Sequence, residues 1–169
     1  MPRNVEVKIR IDDPEATHTR ALALGAVDER LVQQTDTYFT TPRERWVRLK
    51  LREQYPGGAQ LIVYRRPDVA GLRESDFRIV SASDPSGLGQ ALALALGVAR
   101  TVTKTRHLLL LGRTRIHLDH VEALGDFLEL EVVLADGESA EDGEREAERI
   151  LGDLGLADRP RLPGSYADL

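Results

Sequence analysis

The chain has 169 residues, enough for one domain with a sizeable core, and its 41% hydrophobic and 30% charged content fits a globular protein. It has no cysteine and a net charge of −5. That excludes disulfides and thiolate metal sites and disfavours general nucleic-acid binding. No run reaches the ~20 apolar residues that span a bilayer, and Met1 to Glu6 has no apolar signal core; a cytoplasmic protein is expected.

In chain order, Val5, Val7, Ile9 and Ile11 alternate with Asn4, Glu6, Lys8 and Arg10, the period of a strand. Asp13-Pro14 opens a helix that runs to Leu24 and stops at Gly25. Strands follow at Leu31–Thr40, Arg45–Glu53, Gln60–Arg66 and Leu72–Val80, with a turn at Pro56-Gly57-Gly58. Asp84-Pro85 starts a second helix ending near Gly97. Three more strands, Val98–Leu111, Thr114–Glu122 and Phe127–Leu134, precede an amphipathic helix over Glu138–Leu154 and a tail that is irregular or a short turn. The order β-α-β-β-β-β-α-β-β-β-α predicts an α+β fold built on a large antiparallel sheet or barrel, as one domain over residues 1–169.

Charge is segregated. From Arg43 to Arg73 there are eight basic residues and three acids; from Asp136 to Glu148 there are seven acids and one Arg. Residues at i and i+2 share a strand face. Glu6 and Lys8 therefore form one stripe, Arg48, Lys50 and Arg52 a second, Arg115, His117 and Asp119 a third, and Glu129 and Glu131 a fourth. A single stripe is ordinarily a solvated sheet face. If a sheet carrying the set closes, with amphipathic helices covering its apolar face, the stripes become its interior, which is costly unless counter-charges fill it. A polyphosphate with a divalent cation meets that need, since Arg and Lys hold phosphoryl oxygens and carboxylates hold the metal.

Asn4-Val5-Glu6-Val7-Lys8 resembles the Glu-x-Glu-x-Lys signature of the CYTH superfamily, named for class IV adenylate cyclase and thiamine triphosphatase. Gln34 to Phe39, Val47 to Arg52, Ile62 to Pro67, Arg73-Glu74, Lys104-Thr105-Arg106, His117 to Glu131 and Ser165 to Leu169 resemble further segments of that family in the same order. The resemblance spans nearly the whole chain. It implies an eight-stranded antiparallel tunnel, closed or nearly closed, open at both ends, with helices outside. It also implies binding of a triphosphate with Mg²⁺ or Mn²⁺.

Carried over by position, Lys8, Arg48, Lys50, Arg65, Lys104, Arg106 and Arg115 contact phosphate, Glu6, Glu129 and Glu131 hold metal with Asp119 nearby, and Lys8 and Lys104 are the candidate catalytic bases. Two departures stand out. Asn4 replaces the first Glu of the signature, and an amide oxygen ligates a cation without bringing charge. The His-Phe pair that precedes the signature in class IV cyclases is missing, which weighs against a cyclase.

The implied activity is hydrolysis of inorganic, nucleoside or thiamine triphosphate. The alternatives are cyclisation of ATP to cyclic AMP and pyrophosphate, and non-catalytic polyphosphate or nucleotide binding. A small-molecule partner, no nucleic acid, no membrane, and a monomer or homodimer are expected. His18 reads as a solvated helix residue, His117 as a possible substrate contact and His120 as structural. Tyr38 and Trp46 are candidates to stack on a base, with ordinary packing the simpler role. The four histidines have no zinc-type spacing, and the acids of Glu141 to Glu148 read as a solvated helix face.

Overall fold

A computed structural model describes residues 3–41, 47–65 and 73–169, with backbone alone for 73–76. Trp46 and the basic residues Arg43, Arg45 and Arg66 lie outside the described residues. Eight strands and three helices follow the expected order: β1 (Arg3–Arg10), α1 (Pro14–Ala23), β2 (Val27–Phe39), β3 (Val47–Tyr55), β4 (Ala59–Arg65), β5 (Arg73–Ala82), α2 (Pro85–Leu96), β6 (Val98–Leu111), β7 (Thr114–Val121), β8 (Gly125–Val133) and α3 (Ala140–Asp153). A single 3₁₀ turn, Tyr166–Asp168, ends the chain.

The strands close into an antiparallel barrel in the order β1-β5-β4-β3-β2-β6-β7-β8, with β8 pairing back onto β1. Each helix opens on a capping side chain, at Asp13 and Asp84 as the sequence indicates and at Ser139 for α3. The Asp13 carboxylate accepts the Ala16 N–H at 2.8 Å, Asp84 accepts Gly87 N–H at 2.9 Å, and Ser139 Oγ accepts Asp142 N–H at 3.2 Å. Among the described residues no helix is long and apolar enough to cross a membrane.

The main apolar core lies outside the barrel. Val5, Val7 and Ile9 of β1, Leu128, Leu130 and Val132 of β8, and Ile116 and Leu118 of β7 pack under Ala147, Ile150, Leu151 and Leu154 of α3 and its C-cap, joined by Ala21 of α1. The α3 residues fall at the i, i+3, i+4 spacing that makes one stripe. Gly143 lets this helix approach closely: a Cβ there would sit 2.7 Å from Leu134 Cδ2 and 2.9 Å from Val5 Cγ2. Helix α2 lies over the opposite wall, with Gly89 against Leu51, and buries none of its residues. Because the apolar alternates of β1, β3, β7 and β8 face outward, their polar alternates face in.

Candidate active site

Alternation along the strands gathers one polar lining. A cavity of about 840 Å³ runs through the barrel and is bordered by Asn4, Glu6 and Lys8 of β1, Lys50 and Arg52 of β3, Lys104 and Arg106 of β6, Arg115 and His117 of β7, and Glu129 and Glu131 of β8. The register sets them side by side: Glu6 lies opposite Glu131, Lys8 opposite Glu129, and His117 opposite Glu129. The expected stripes thus meet in one place. Aromatic and aliphatic side chains line the same cavity from β2, β4 and β5, namely Tyr38, Ile62, Tyr64, Phe77 and Ile79.

One arrangement occurs twice. Arg52 of β3 forks onto Asp36 of β2 with Nε at 2.7 Å and Nη2 at 2.8 Å, and Lys50 reaches the same carboxylate at 2.8 Å. Arg106 of β6 forks onto Asp119 of β7 with both distances 2.6 Å, and Lys104 reaches it at 3.1 Å. In each case a Lys-x-Arg pair on one strand meets an Asp directly across from the Arg. Bidentate pairing holds the guanidinium planes while leaving other N–H groups for the cavity. The Asp119 carboxyl is raised by burial but lowered more strongly by Arg106 and Lys104, and the balance falls well below the usual carboxylate range. Asp36 behaves the same way through Lys50 and Arg52.

The lysines carry the converse strain. Burial, reinforced by Arg106, brings Lys104 down to about 7, and burial with Arg52 brings Lys50 down to about 8. Two ammonium groups in this wall are therefore easily discharged near neutral pH, and an arriving anion would restore them.

The acids on β8 are held more loosely. Glu129 accepts from Arg106 at 2.8 Å and faces Lys8 at 3.5 Å. Glu131 meets Arg115 at 3.3 Å. His117 Nδ1 lies 3.5 Å from Glu129 and 3.8 Å from Glu131, too far for a hydrogen bond, and it has no hydrogen-bond partner among the described residues. His117, Glu129 and Glu131 present one ligand atom each within 4.8 Å of one another, a cluster that can hold a metal ion. Burial and the nearby Arg106 depress the His117 pKa, which keeps the imidazole in its ligating form. Asn4 Oδ1 is also buried in this lining without a hydrogen-bond partner among the described residues.

The chain's tail packs at one end of the barrel. Tyr166 of the 3₁₀ turn packs with Tyr38, Val102, Val121 and Phe127, and its hydroxyl donates to Asp119 at 2.8 Å. Lys8 Nζ stands 3.8 Å from the centre of the Tyr166 ring, and Lys104 Nζ stands 4.8 Å from it. Ser165 and Asp168 cap the turn reciprocally, Arg48 donates to Asp168 at 3.2 Å, and Arg100 donates to Ala167 O at 2.9 Å. The tunnel forms as expected, with the chain's own tail packed at one end.

Most of the expected site residues converge, and three do not stand as expected. Asp119 was placed near metal, yet its oxygens are engaged by Arg106, Lys104 and Tyr166, three of the four contacts falling on Oδ2. Arg48 is engaged with the tail. Arg65 lies opposite Val47 in the register, on the outward face that Leu49 and Val63 share, one residue away from the inward Tyr64. Arg52 belongs to the expected third-strand stripe but not to the expected phosphate contacts, and Asp36 is not among the expected site residues. The repeated Lys-x-Arg at 50–52 and 104–106 was a visible signal for Arg52, whereas the pairing of β2 with β3 was needed to find Asp36. Tyr166 lies in the Ser165 to Leu169 segment covered by the family resemblance, but nothing local places a tail residue inside a barrel.

The CYTH domain model matches residues 2–166, and the chain belongs to that family. It is 27% identical over 173 residues to a protein named adenylate cyclase CyaB from Aeromonas hydrophila, covering 98% of this chain and 87% of that one. Among solved structures it resembles the PH1012 protein of Pyrococcus horikoshii, with 25% identity, a TM-score of 0.84 and 98% coverage of both chains. A putative adenylyl cyclase of Hippeastrum, described as having a dominant triphosphatase activity, shares the fold at 17% identity and a TM-score of 0.62, over 96% of this chain and 92% of that one.

Proposed function

We propose that the barrel interior binds a triphosphate with a divalent cation and hydrolyses it. The observation that carries this reading is the charge of the lining. Among the described residues, seven cationic side chains border the cavity, Lys8, Arg30, Lys50, Arg52, Lys104, Arg106 and Arg115, against the three carboxylates Glu6, Glu129 and Glu131. Asp36 and Asp119, set behind the cations, offset two more; the remaining excess of positive charge is carried by Arg30 and Arg115, which are exposed. A polyanion is the occupant that relieves it.

Each group then has a role. The Asp-anchored Arg52 and Arg106, with Lys50, Lys104 and Lys8, hold phosphoryl oxygens in fixed positions, so their orientation costs nothing at the moment of reaction. His117, Glu129 and Glu131 would hold the metal, with Glu6 and Asn4 beside them on β1; their donor set fits one. An imidazole among the carboxylates suits Mn²⁺ better than Mg²⁺, which prefers oxygen ligands alone. A bound divalent ion would supply charge neutralisation at the phosphate oxygens. Lys104, held in position by Asp119, is charged when the anion is bound and takes a proton from attacking water only in the fraction that burial keeps neutral.

Cyclisation of a nucleoside triphosphate is the second reading. The aromatic and aliphatic wall formed by Tyr38, Ile62, Tyr64, Phe77 and Ile79 favours it, because such a surface accepts a base. The relative named adenylate cyclase adds weight.

The test is product analysis with inorganic triphosphate and with ATP, each in Mg²⁺ and in Mn²⁺. Orthophosphate release, lost in Glu131→Gln, supports hydrolysis. Cyclic AMP with pyrophosphate replaces that reading with the second. Tight triphosphate binding without turnover makes the barrel a binding module.

A further inference from the structure

A second cluster of ligand atoms sits on the outer surface of the barrel, made of residues far apart in sequence. His18 comes from α1, Asp28 from the start of β2 and His107 from β6. Residues 104, 106 and 108 of β6 line the cavity, so His107 faces out. Asp28 reaches the same face through an irregularity. On β2 the even positions Arg30, Val32 and Gln34 point inward, and an uninterrupted strand would send residue 28 inward too. The register instead shifts between Asp28 and Arg30, so Arg30 opposes Leu108 but Asp28 opposes Leu109. One extra residue, Glu29, thus turns the Asp28 carboxylate outward. Such bulges re-aim side chains.

The three groups meet closely. His18 Nε2 lies 3.0 Å from Asp28 Oδ2, and His107 Nε2 lies 2.7 Å from Asp28 Oδ1. The two imidazole rings stack with centroids 4.7 Å apart and planes 23° from parallel. All three ligand atoms fall within 4.8 Å of one another. His18, read from sequence as a solvated helix residue, is at the surface and is paired there with Asp28. A surface cleft of about 310 Å³ borders both rings and also Glu15, which lies on the same face of α1 three residues before His18.

We propose that His18, Asp28 and His107 form a transition-metal site, separate from the barrel interior, for Zn²⁺ or a cation of similar ligand preference such as Co²⁺ or Ni²⁺. Two imidazole nitrogens and one carboxylate oxygen converging from three elements are a common three-residue set for such ions, with the cleft open for water as a further ligand. Two imidazoles are a poor set for Mg²⁺ or Ca²⁺. The site would clip α1 to β2 and β6, so its effect is structural: a bound ion links a helix to two strands of the wall and stabilises the folded chain by mass action.

The experiment uses chelator-treated full-length protein and Zn²⁺ by calorimetry, with Co²⁺ absorption as a ligand-field readout and melting temperature measured alongside. Three proteins are compared: the wild type, a His18→Ala/His107→Ala double variant, and Glu131→Gln. The expected result is that the double variant loses one Zn²⁺ equivalent, the corresponding Co²⁺ bands and the Zn²⁺-dependent rise in melting temperature. Glu131→Gln retains all three. The double variant should melt near the wild type without metal, since the side chains it removes are at the surface. The proposal is overturned if Zn²⁺ stoichiometry is the same in the double variant, if Glu131→Gln abolishes all Zn²⁺ binding, or if binding occurs only at millimolar Zn²⁺. In those cases the cluster is a hydrogen-bonded His-Asp-His contact. None of these outcomes depends on whether the barrel interior hydrolyses triphosphate.

Discussion

Asp119 and Glu131 face the same barrel interior from neighbouring strands, yet their surroundings differ in kind. Asp119 is completely enclosed, and its two oxygens take a guanidinium fork, an ammonium and a phenol. Glu131 keeps some exposure and meets its partners at 3.3 and 3.8 Å, beside an imidazole whose Nδ1 has no hydrogen bond among the described residues. A closely paired carboxylate is a structural anchor that aims cations. A loosely held one beside an imidazole has coordination to spare. Charge and position in sequence do not separate these roles; the number and length of contacts do.

The sharpest way to break this comparison is to neutralise each acid in turn. Asp119→Asn leaves Arg106 and Lys104 buried without their counter-ion, and removing one partner of a buried pair costs about 3–5 kcal/mol. A large fall in unfolding free energy in urea is expected. Equal stability of variant and wild type would show that Asp119 is no anchor. Glu131→Gln should do the opposite. It removes one of two adjacent like charges, so stability without metal changes by less than about 1 kcal/mol. Triphosphate turnover should fall about 100-fold, roughly 2.7 kcal/mol of barrier. If Glu131→Gln is as destabilising as Asp119→Asn, both acids are anchors and the metal assignment fails.

The sequence showed why the barrel is polar inside. The alternation in Asn4 to Arg10, Val47 to Arg52 and Phe127 to Val133 set which residues share a face, and the caps Asp13 and Asp84 marked the first two helices. Local pattern could not say how strands pair. Without the β2–β3 and β6–β7 registers, Asp36 and Asp119 have no assigned Arg, so Asp119 reads as one more acid near a metal. Arg65 shows the limit from the other side: the motif likeness put it on phosphate, but one position of register puts it on the outer face. The place of Tyr166 and the Glu29 bulge were hidden for the same reason. A tail packed at a barrel end and a one-residue slip are tertiary events with no periodic trace.

The tail offers a smaller test of the anchor. Tyr166→Phe keeps the ring that packs on Phe127 and under Lys8, and removes only the hydroxyl that donates to Asp119. Losing a hydrogen bond to a charged group costs about 1.5–3 kcal/mol. The melting temperature should fall, and the pH–rate profile should move because Asp119 then holds Lys104 differently. A lower melting temperature with an unchanged profile would confine Tyr166 to packing.

The smallest expected effect is the dependence of binding on pH. Lys104 at about 7 and Lys50 at about 8 lie below the ordinary lysine value of 10.5. Burial is the main cause for both, and neighbouring arginines add to it. In the empty protein the charged form is therefore disfavoured. Between these values and 10.5 the unfolded chain binds more protons than the folded one, so the stability of the empty protein should rise with pH across that window. Triphosphate reverses the preference by favouring both ammonium groups. Binding above pH 7 must then take up protons, and affinity should fall as pH rises, by up to about tenfold per unit for each lysine, or roughly 1.4 kcal/mol. Calorimetry at pH 8 in two buffers of different ionisation enthalpy reads the uptake directly. Lys50→Met should remove part of it while Asp36 still holds Arg52. Uptake of no protons would mean that both lysines are already charged in the empty barrel, and the anion would then meet a wall whose charge is fixed by the Asp36 and Asp119 forks alone.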